Sequence, residues 1–489
     1  MKEKSFLLSL ALISLLGFIV RFVDYDSAPG WNESLDEIHY AWTGQTWFQT
    51  GIPTSWSYLS SYPKSEMVKL WDTDFRIVSP MLEKPPLYSL LSGVLVLLFG
   101  QDELSEVRIS TIRILPLILS IFTIFLTGLL GKKVFGPEVG LSAALLYAAI
   151  PPVVLANRLS VTENLLTPIF LISQLIFLSI YRVGKLQHAV YAGIFAALAI
   201  LTKQIGIVAA FVSLGLLAYK KQWKSFFICG VIAAIAFLIY PLTGAFYDWQ
   251  LFRNIQTEQR RVGLQGGLPQ MVQTIIGRPL VTTERLIPDG VILLGYLLLF
   301  TGPWWINQFQ SSTKKNSHVI PGLTGDLLNI DSRFRGNDKT SWLMTVFLTF
   351  PCGYITYLAL AITGAEPIGS GQGYWGWYAF PLYPYLVILV ANIFIKIMVT
   401  NSFFEILVTT LILGSSTVRY LFLNVSRDYH YLWQYSFIFL MAATGIIFFL
   451  PRKYRKWSYL LLFVFFVGVN MYTSLNLSLI YASNPQPLP

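Results

Sequence analysis

The chain has 489 residues, of which 54% are apolar and only 12% charged, with a mean hydropathy of +0.58. A charged fraction about half the soluble norm excludes disorder, argues against a soluble enzyme and leaves a polytopic membrane protein. The net charge of +10 lies in short clusters between apolar runs, the signature of an inner-leaflet bias and not of a nucleic-acid surface. Cys229 and Cys352 both fall in apolar segments, so neither a disulfide framework nor a thiolate metal cluster is available.

The first apolar run, Phe6 to Val23, follows Lys2 and Lys4 and ends at Arg21 and Asp24 without a small-residue cleavage site, which predicts an uncleaved span with a cytoplasmic N-terminus. Residues 24–86 carry nine acidic and four basic residues and are expected outside. Further spans are predicted near 108–130, 139–156, 162–180, 187–202, 204–219, 225–242, 289–306, 342–363, 379–397, 403–423, 433–450 and 457–480. Basic clusters at Lys132-Lys133, Arg182 and Lys185, Lys220-Lys221 with Lys224, Lys314-Lys315, Lys396 and Arg452 to Lys456 mark inner loops. They agree only if residues 87–99 do not cross. That segment would span about 20 Å as a helix, against a hydrocarbon core of about 30 Å. The expectation is an all-α polytopic fold of about 13 transmembrane helices, with a long first outer loop (24–107) holding juxtamembrane helices. Residues 1–242 would form a catalytic module. A second outer loop at 243–288 and a C-terminal module at 289–489 follow, the latter with a cytoplasmic insert at 307–341 that lacks amphipathic period and is assigned no function.

The residues with chemical potential gather on the outer side. Asp36-Glu37 stand about a dozen residues beyond the first span, either as a helix N-terminus in a solvated loop or as a general base and its neighbour. His39, Tyr40 and nearby tryptophans suit a sugar platform or an interfacial belt equally. Lys84 precedes Pro85-Pro86, which stiffen the chain and fix how the ammonium is presented; it either meets a lipid phosphate or snorkels. Arg158 and Glu163 lie at an outer junction where unpaired charges are costly, and Lys203 sits among apolar residues and needs an anionic partner. Trp375 and Tyr378, in a glycine-rich stretch, could wall a sugar or lipid site, and Arg419 is a further anion-pairing candidate. Two adjacent carboxylates are too few for a hard divalent cation, which takes about six oxygens, so no metal or other cofactor is predicted and a cation at Asp36 and Glu37 has little support.

The order of these features resembles the C-type (GT-C) glycosyltransferases, the group of protein O-mannosyltransferases and aminoarabinose lipid A transferases. The resemblance rests on Asp36-Glu37 in a long outer loop, Lys84-Pro85-Pro86-Leu87 opening a surface helix, Arg113, the stretch from Gly131 to Asn164, LAILTK ending at Lys203, and a late YAFPLYP. It covers residues 1 to about 242 well and the rest loosely. It implies transfer of a sugar, with inversion, from a polyprenyl monophosphate to a lipid, glycan or protein acceptor outside a bacterial inner membrane. It also implies that Asp36, beside Glu37, activates the acceptor, that Glu163 is a second acidic position, and that Lys84 and Lys203, with Arg158 nearby, hold the donor phosphate. The implied partners are the lipid-linked donor, the acceptor and membrane lipids, with no nucleic acid; oligomeric state is not indicated. The alternatives are a polymerase or ligase using a polyprenyl diphosphate, favoured by the arginines of 243–288, and a lipid or sugar transporter, which would show midplane charges and a repeat.

Overall fold

The computed structural model describes residues 2–30, 34–180, 186–259, 289–315, 336–361, 376–400, 403–425 and 430–478. Helix α1 (Glu3–Phe22) leads into an outer segment containing α2 (Asp36–Thr50), a small sheet, α3 (Leu87–Leu98) and the single turn α4 (Ile109–Ile112). Then follow α5 (Ile114–Phe135), α6 (Pro137–Ala149), α7 (Pro151–Ala156), α8 (Thr162–Ile180), α9 (Leu186–Thr202), α10 (Ile207–Tyr219) and α11 (Trp223–Gln259). The C-terminal part supplies α12 (Gly290–Lys315), α13 (Gly336–Ala361), α14 (Tyr383–Thr400), α15 (Phe403–Val425), α16 (His430–Phe449) and α17 (Arg452–Leu475). Helices α8 and α14 lie deepest, packed among α5, α6, α9 and α12, whereas α1 and α11 turn long apolar rows outward.

Among the described residues, seven helices are long and apolar enough to cross a membrane, not thirteen. They are α1, α4–α5, α8, α11, α13, α14 and α17. The expected spans at 187–202 and 204–219 are helices of no more than 17 residues, about 25 Å and so short of the hydrocarbon thickness, whereas those at 289–306, 403–423 and 433–450 fall in α12, α15 and α16, whose described apolar stretches cover 10–14 residues of longer helices. The expected span at 139–156 is split, because Pro151 and Pro152 break the backbone ladder and start α7 afresh. Helix α3 has 12 residues and packs against α2, in keeping with a segment that does not cross.

Three other expectations change. The first outer loop is not purely helical: β1 (Ser55–Trp56), β2 (Glu66–Leu70) and β3 (Thr73–Val78) form an antiparallel sheet in the order β1-β3-β2. A two-residue turn at Trp71 and Asp72, with φ of +49° and +59°, joins β2 to β3 with the twist that suits a hairpin. The first part of the expected second outer loop, 243–259, is helical. Helix α11 runs on to Gln259, breaking direction at Asp248 (φ −165°, ψ 103°), whose carboxylate accepts from the Leu251 amide at 2.8 Å and caps the new helical segment. Leu251, Phe252 and Ile255 then bury against Leu59, Tyr62, Val78, Met81 and Leu82, the helical period that holds this segment over the sheet. Finally, α12 and α13 each extend into the 307–341 insert, so its flanks are helical; residues 316–335, 260–288 and 362–375 lie outside the described residues.

Candidate active site

Helix α2 is the scaffold of the site. Its first turn carries Asp36 and Glu37, whose charges suit the positive end of the helix dipole, and it stops at Gly51 in the left-handed region (φ +74°). Spacing of three and four residues places Asp36, His39, Tyr40 and Thr43 along one face. The helix is pinned from its flanks: Trp42 Nε1 donates to the Leu104 carbonyl at 2.9 Å, Gln45 Nε2 to the Gln101 carbonyl at 2.8 Å, and Trp56 Nε1 to the Leu35 carbonyl at 3.1 Å. His39 Nδ1 faces the Trp56 carbonyl at 3.2 Å.

Glu37 turns away from that face and is wholly buried. Arg113 Nε and Nη2 donate to its two oxygens at 3.0 and 2.8 Å, and the Ser160 amide donates to Oε2 at 2.7 Å. The same guanidinium donates to the Tyr25 and Pro29 carbonyls at 3.0 and 2.7 Å. Three stretches of the chain, at 25–37, 113 and 160, therefore meet at one ion pair, and the position of Asp36 is set by its neighbour. Arg158 is equally committed: its guanidinium donates to the carbonyls of Val20, Arg21, Val23 and Ala28 at 2.6–3.1 Å, closing the C-terminal end of α1. Both side chains bury charge in satisfied networks, which fits positioning better than contact with a ligand.

Lys84 approaches the open face of α2 from the side. Pro86 starts α3, and α3 is held tight against α2 by a glycine pair: a Cβ on Gly44 would stand 1.8 Å from the Ser89 carbonyl oxygen, and one on Gly93 2.2 Å from the Gly44 carbonyl carbon. Side chains cannot enter there, so the two backbones touch and the half-buried Lys84 is fixed relative to Asp36. Burial opposes the Lys84 charge, but the field of Asp36, with Tyr40, Glu83 and Tyr378, outweighs it and holds the ammonium pKa well above the usual lysine range. Glu83, buried next to it, accepts from Ser57 Oγ and, at 3.1 Å, from Gln259 Nε2. Burial raises its carboxyl to about 7 against the opposing pull of Lys84 and these hydrogen bonds.

The third contribution comes from the bundle. Glu163, in the first turn of α8, is buried, accepts from Thr162 Oγ1 at 2.9 Å and pairs with Lys203, which stands in extended backbone where α9 gives way to the 3-10 turn Gln204–Gly206. Lys203 Nζ lies 4.3 Å from the centre of the Tyr378 ring, which in turn contributes to the field at Lys84. Between α2 and α11 a cleft opens, lined by His39, Thr43, Trp47, Lys84, Tyr240 and Gly244.

The structure thus brings together Asp36, His39, Tyr40, Lys84, Glu163, Lys203 and Tyr378, and it sets Glu37 and Arg158 behind them. Trp375 and the side chain of Arg419 lie outside the described residues. A divalent cation at Asp36 and Glu37 does not fit, because both Glu37 oxygens are taken by Arg113 and Ser160. Among the described residues no group of three or more His, Cys, Asp or Glu side chains is placed to hold a metal. Sequence reasoning named Arg113 only as part of a resemblance and overlooked Glu83, Gln259 and Glu258. The last accepts from both amides and both hydroxyls of Ser60 and Ser61 at 2.5–2.8 Å, docking the end of α11 on the outer segment. The signal for Glu83 was its place beside Lys84; the others depend on a fold-back of nearly 200 residues that no local pattern encodes.

A family profile described as dolichyl-phosphate-mannose-protein mannosyltransferase matches residues 83–219, the stretch from Glu83 and Lys84 to the end of α10. No curated protein matches the chain in sequence. Among solved structures, ArnT from Cupriavidus metallidurans bound to undecaprenyl phosphate superposes with a TM-score of 0.51 at 15% identity, over 98% of this chain and 77% of that one. The arabinosyltransferase EmbB from Mycobacterium smegmatis superposes with a TM-score of 0.50 at 12% identity, over 97% of this chain and 41% of that one. The chain is an α-helical polytopic membrane protein with the GT-C fold.

Proposed function

We propose that this protein is an inverting glycosyltransferase that moves a sugar from a polyprenyl monophosphate to an acceptor on the outer side of a bacterial inner membrane. The carrying observation is the placement of Lys84 against the Asp36 face of α2, a cation that lines the cleft and lies within the field of a carboxylate. The profile match over 83–219 and the fold likeness support the reading, as do the outer acidic excess and the inner basic clusters. In this orientation the N-terminus is cytoplasmic, and residues 1–242 form the catalytic module.

In the proposed reaction, an acceptor hydroxyl attacks the anomeric carbon from the side opposite the phosphate. The bond from that carbon to the phosphate oxygen breaks and the polyprenyl phosphate departs. Lys84 balances the charge that grows on the leaving phosphate. A bound phosphate also competes for the Lys84 ammonium, which leaves the Asp36 carboxylate a stronger base to take the acceptor proton. Lys203 enters as the cation of a neutral pair with Glu163, so its share in phosphate binding is smaller than that of Lys84 and Glu163 serves first to set its position. Tyr40 and Tyr378 wall the site.

The test uses the purified full chain in lipid vesicles with a panel of labelled polyprenyl-monophosphate and polyprenyl-diphosphate sugars and an envelope extract. Wild-type protein is expected to release label to an acceptor, and Asp36→Asn to lose that transfer while still binding the donor. Equal transfer by Asp36→Asn removes the base assignment; label released only from a diphosphate-linked donor moves the protein to the polymerase and ligase class.

A further inference from the structure

His39 differs from the other polar groups that face the cleft. It is only 2% exposed, and its ring is held edge-on to Tyr40 and Trp56, with centroids 5.5 and 6.1 Å apart and interplanar angles of 84° and 86°. Nδ1 faces the Trp56 carbonyl at 3.2 Å. A carbonyl oxygen only accepts, so the proton of a neutral ring stands on Nδ1 and Nε2 carries a bare lone pair. That Nε2 is buried and has no hydrogen-bond partner in the protein. The ring is also kept neutral: burial, aided by Lys84 and opposed by Asp36, lowers its pKa to about 4.

A buried lone pair without a partner calls for a donor from outside the protein. The proposed substrates offer few. A polyprenyl chain has no hydrogen-bonding hydrogen, and a phosphate diester at neutral pH offers only acceptor oxygens. The acceptor hydroxyl has its proton drawn to Asp36, one helical turn earlier on the same face. Of the groups that the donor itself brings beside Lys84, the transferred sugar alone carries hydroxyl donors.

Resting on the glycosyltransferase reading, we infer that His39 Nε2 accepts a hydrogen bond from one hydroxyl of the transferred sugar and makes that hydroxyl a requirement of the donor. His39 is in this role a specificity-determining residue, and it takes no proton during the reaction. A site built around a hydrogen bond rejects the analogue that lacks it, because the protein group is then left buried and unpaired.

The test compares the polyprenyl-monophosphate sugar that wild type transfers best with its set of monodeoxy analogues. Wild type is expected to lose about 10- to 100-fold in kcat/KM for the analogue deoxygenated at one ring position. Two variants locate the cause. In His39→Asn the amide nitrogen replaces Nδ1 and keeps the bond to Trp56 but leaves nothing at Nε2, so the penalty at that position falls to about threefold or less while those at other positions stand. In His39→Gln the amide reaches the place of Nε2, and its oxygen restores the acceptor and the penalty. A penalty profile in His39→Asn identical to wild type, with transfer retained, overturns the role of His39 and leaves the glycosyltransferase reading intact. Absence of transfer from every donor by folded wild type overturns both.

Discussion

The two faces of α2 differ in how complete they are. On the side of Glu37, every charged group ends in the protein: Arg113 donates to two carboxylate oxygens and to backbone carbonyls, and the Ser160 amide completes the set. On the side of Asp36, His39, Thr43 and Lys84 line a cleft, and His39 Nε2 stands without a partner. Two carboxylates adjacent in sequence therefore have unlike work. The closed network around Glu37 fixes geometry, and the face it holds rigid leaves His39 Nε2 open to a substrate. The sharpest way to break this comparison is to neutralise each acid in turn. Asp36→Asn is expected to reduce transfer by about 10²- to 10⁴-fold, the range of a lost general base, with a smaller fall in melting temperature than a change on the closed side gives. If Asp36→Asn instead melts early and keeps its turnover, the two faces have been assigned the wrong way round.

The converse change acts on the closed side. Arg113→Met leaves the Glu37 carboxylate buried with only the Ser160 amide, and is expected to destabilise the protein by about 3–5 kcal/mol. Arg113→Lys should recover little of this, since one ammonium cannot serve both oxygens of Glu37 and the Tyr25 and Pro29 carbonyls together. Yield of monodisperse protein in detergent and its thermal midpoint measure the effect. A stable Arg113→Met would mean that packing of α2 against α3 alone holds the first turn in place.

These faces were unequally legible in the sequence. Asp36, Lys84 and Lys203 could be singled out because charges among apolar residues at a membrane surface are costly, and cost marks them one at a time. Their partners could not be read the same way. Glu37 and Arg113 are 76 residues apart, and Glu163 and Lys203 40 apart, and both pairings are decided by how helices fold back. The apolar runs placed the helices but not their ends. Pro151 and Asp248 broke or redirected helices that hydropathy averages over. The small sheet was missed for a different reason: EMVKL and TDFRIV alternate over only five and six residues, a short signal within a stretch of high charge.

The cleft side should also respond to pH through Glu83, which belongs to neither ion pair. Its carboxyl titrates near 7 in the fold and near 4.5 when unfolded. The folded pKa is the higher one, so the fold prefers the protonated acid. That preference is fully present below about pH 4.5 and is lost as pH rises through 7, roughly 3 kcal/mol in all. Glu83→Gln keeps one acceptor oxygen, enough for Ser57 or Gln259 but not both, and cannot titrate. The thermal midpoint of wild type is expected to fall more steeply between pH 5 and 8 than that of Glu83→Gln. Parallel curves would show that Glu83 is already ionised in the folded protein at pH 5, with Lys84 and not burial setting its charge.

The smallest change tests whether the closed packing serves the open face at all. Gly44 and Gly51 lie on the same helix, one against α3 and the other at its end with nothing within 4 Å of an added Cβ. At Gly51 the φ of +74° makes alanine strained, at a cost of about 1 kcal/mol, but no neighbour has to move. At Gly44 the methyl meets the Ser89 carbonyl and the Gly93 Cα, which are backbone atoms and cannot rotate aside. Helix α3 must shift, at about 1–3 kcal/mol, and Lys84 moves with it because only Pro85 and Pro86 separate the two. Gly51→Ala is therefore expected to lower the melting temperature slightly and leave transfer unchanged. Gly44→Ala should raise the KM for donor as well, by about tenfold if a shift near 1 Å costs one good contact to phosphate. Equal donor KM in the two variants would mean that Lys84 is placed by its own ion field and not by the glycine contact between the helices.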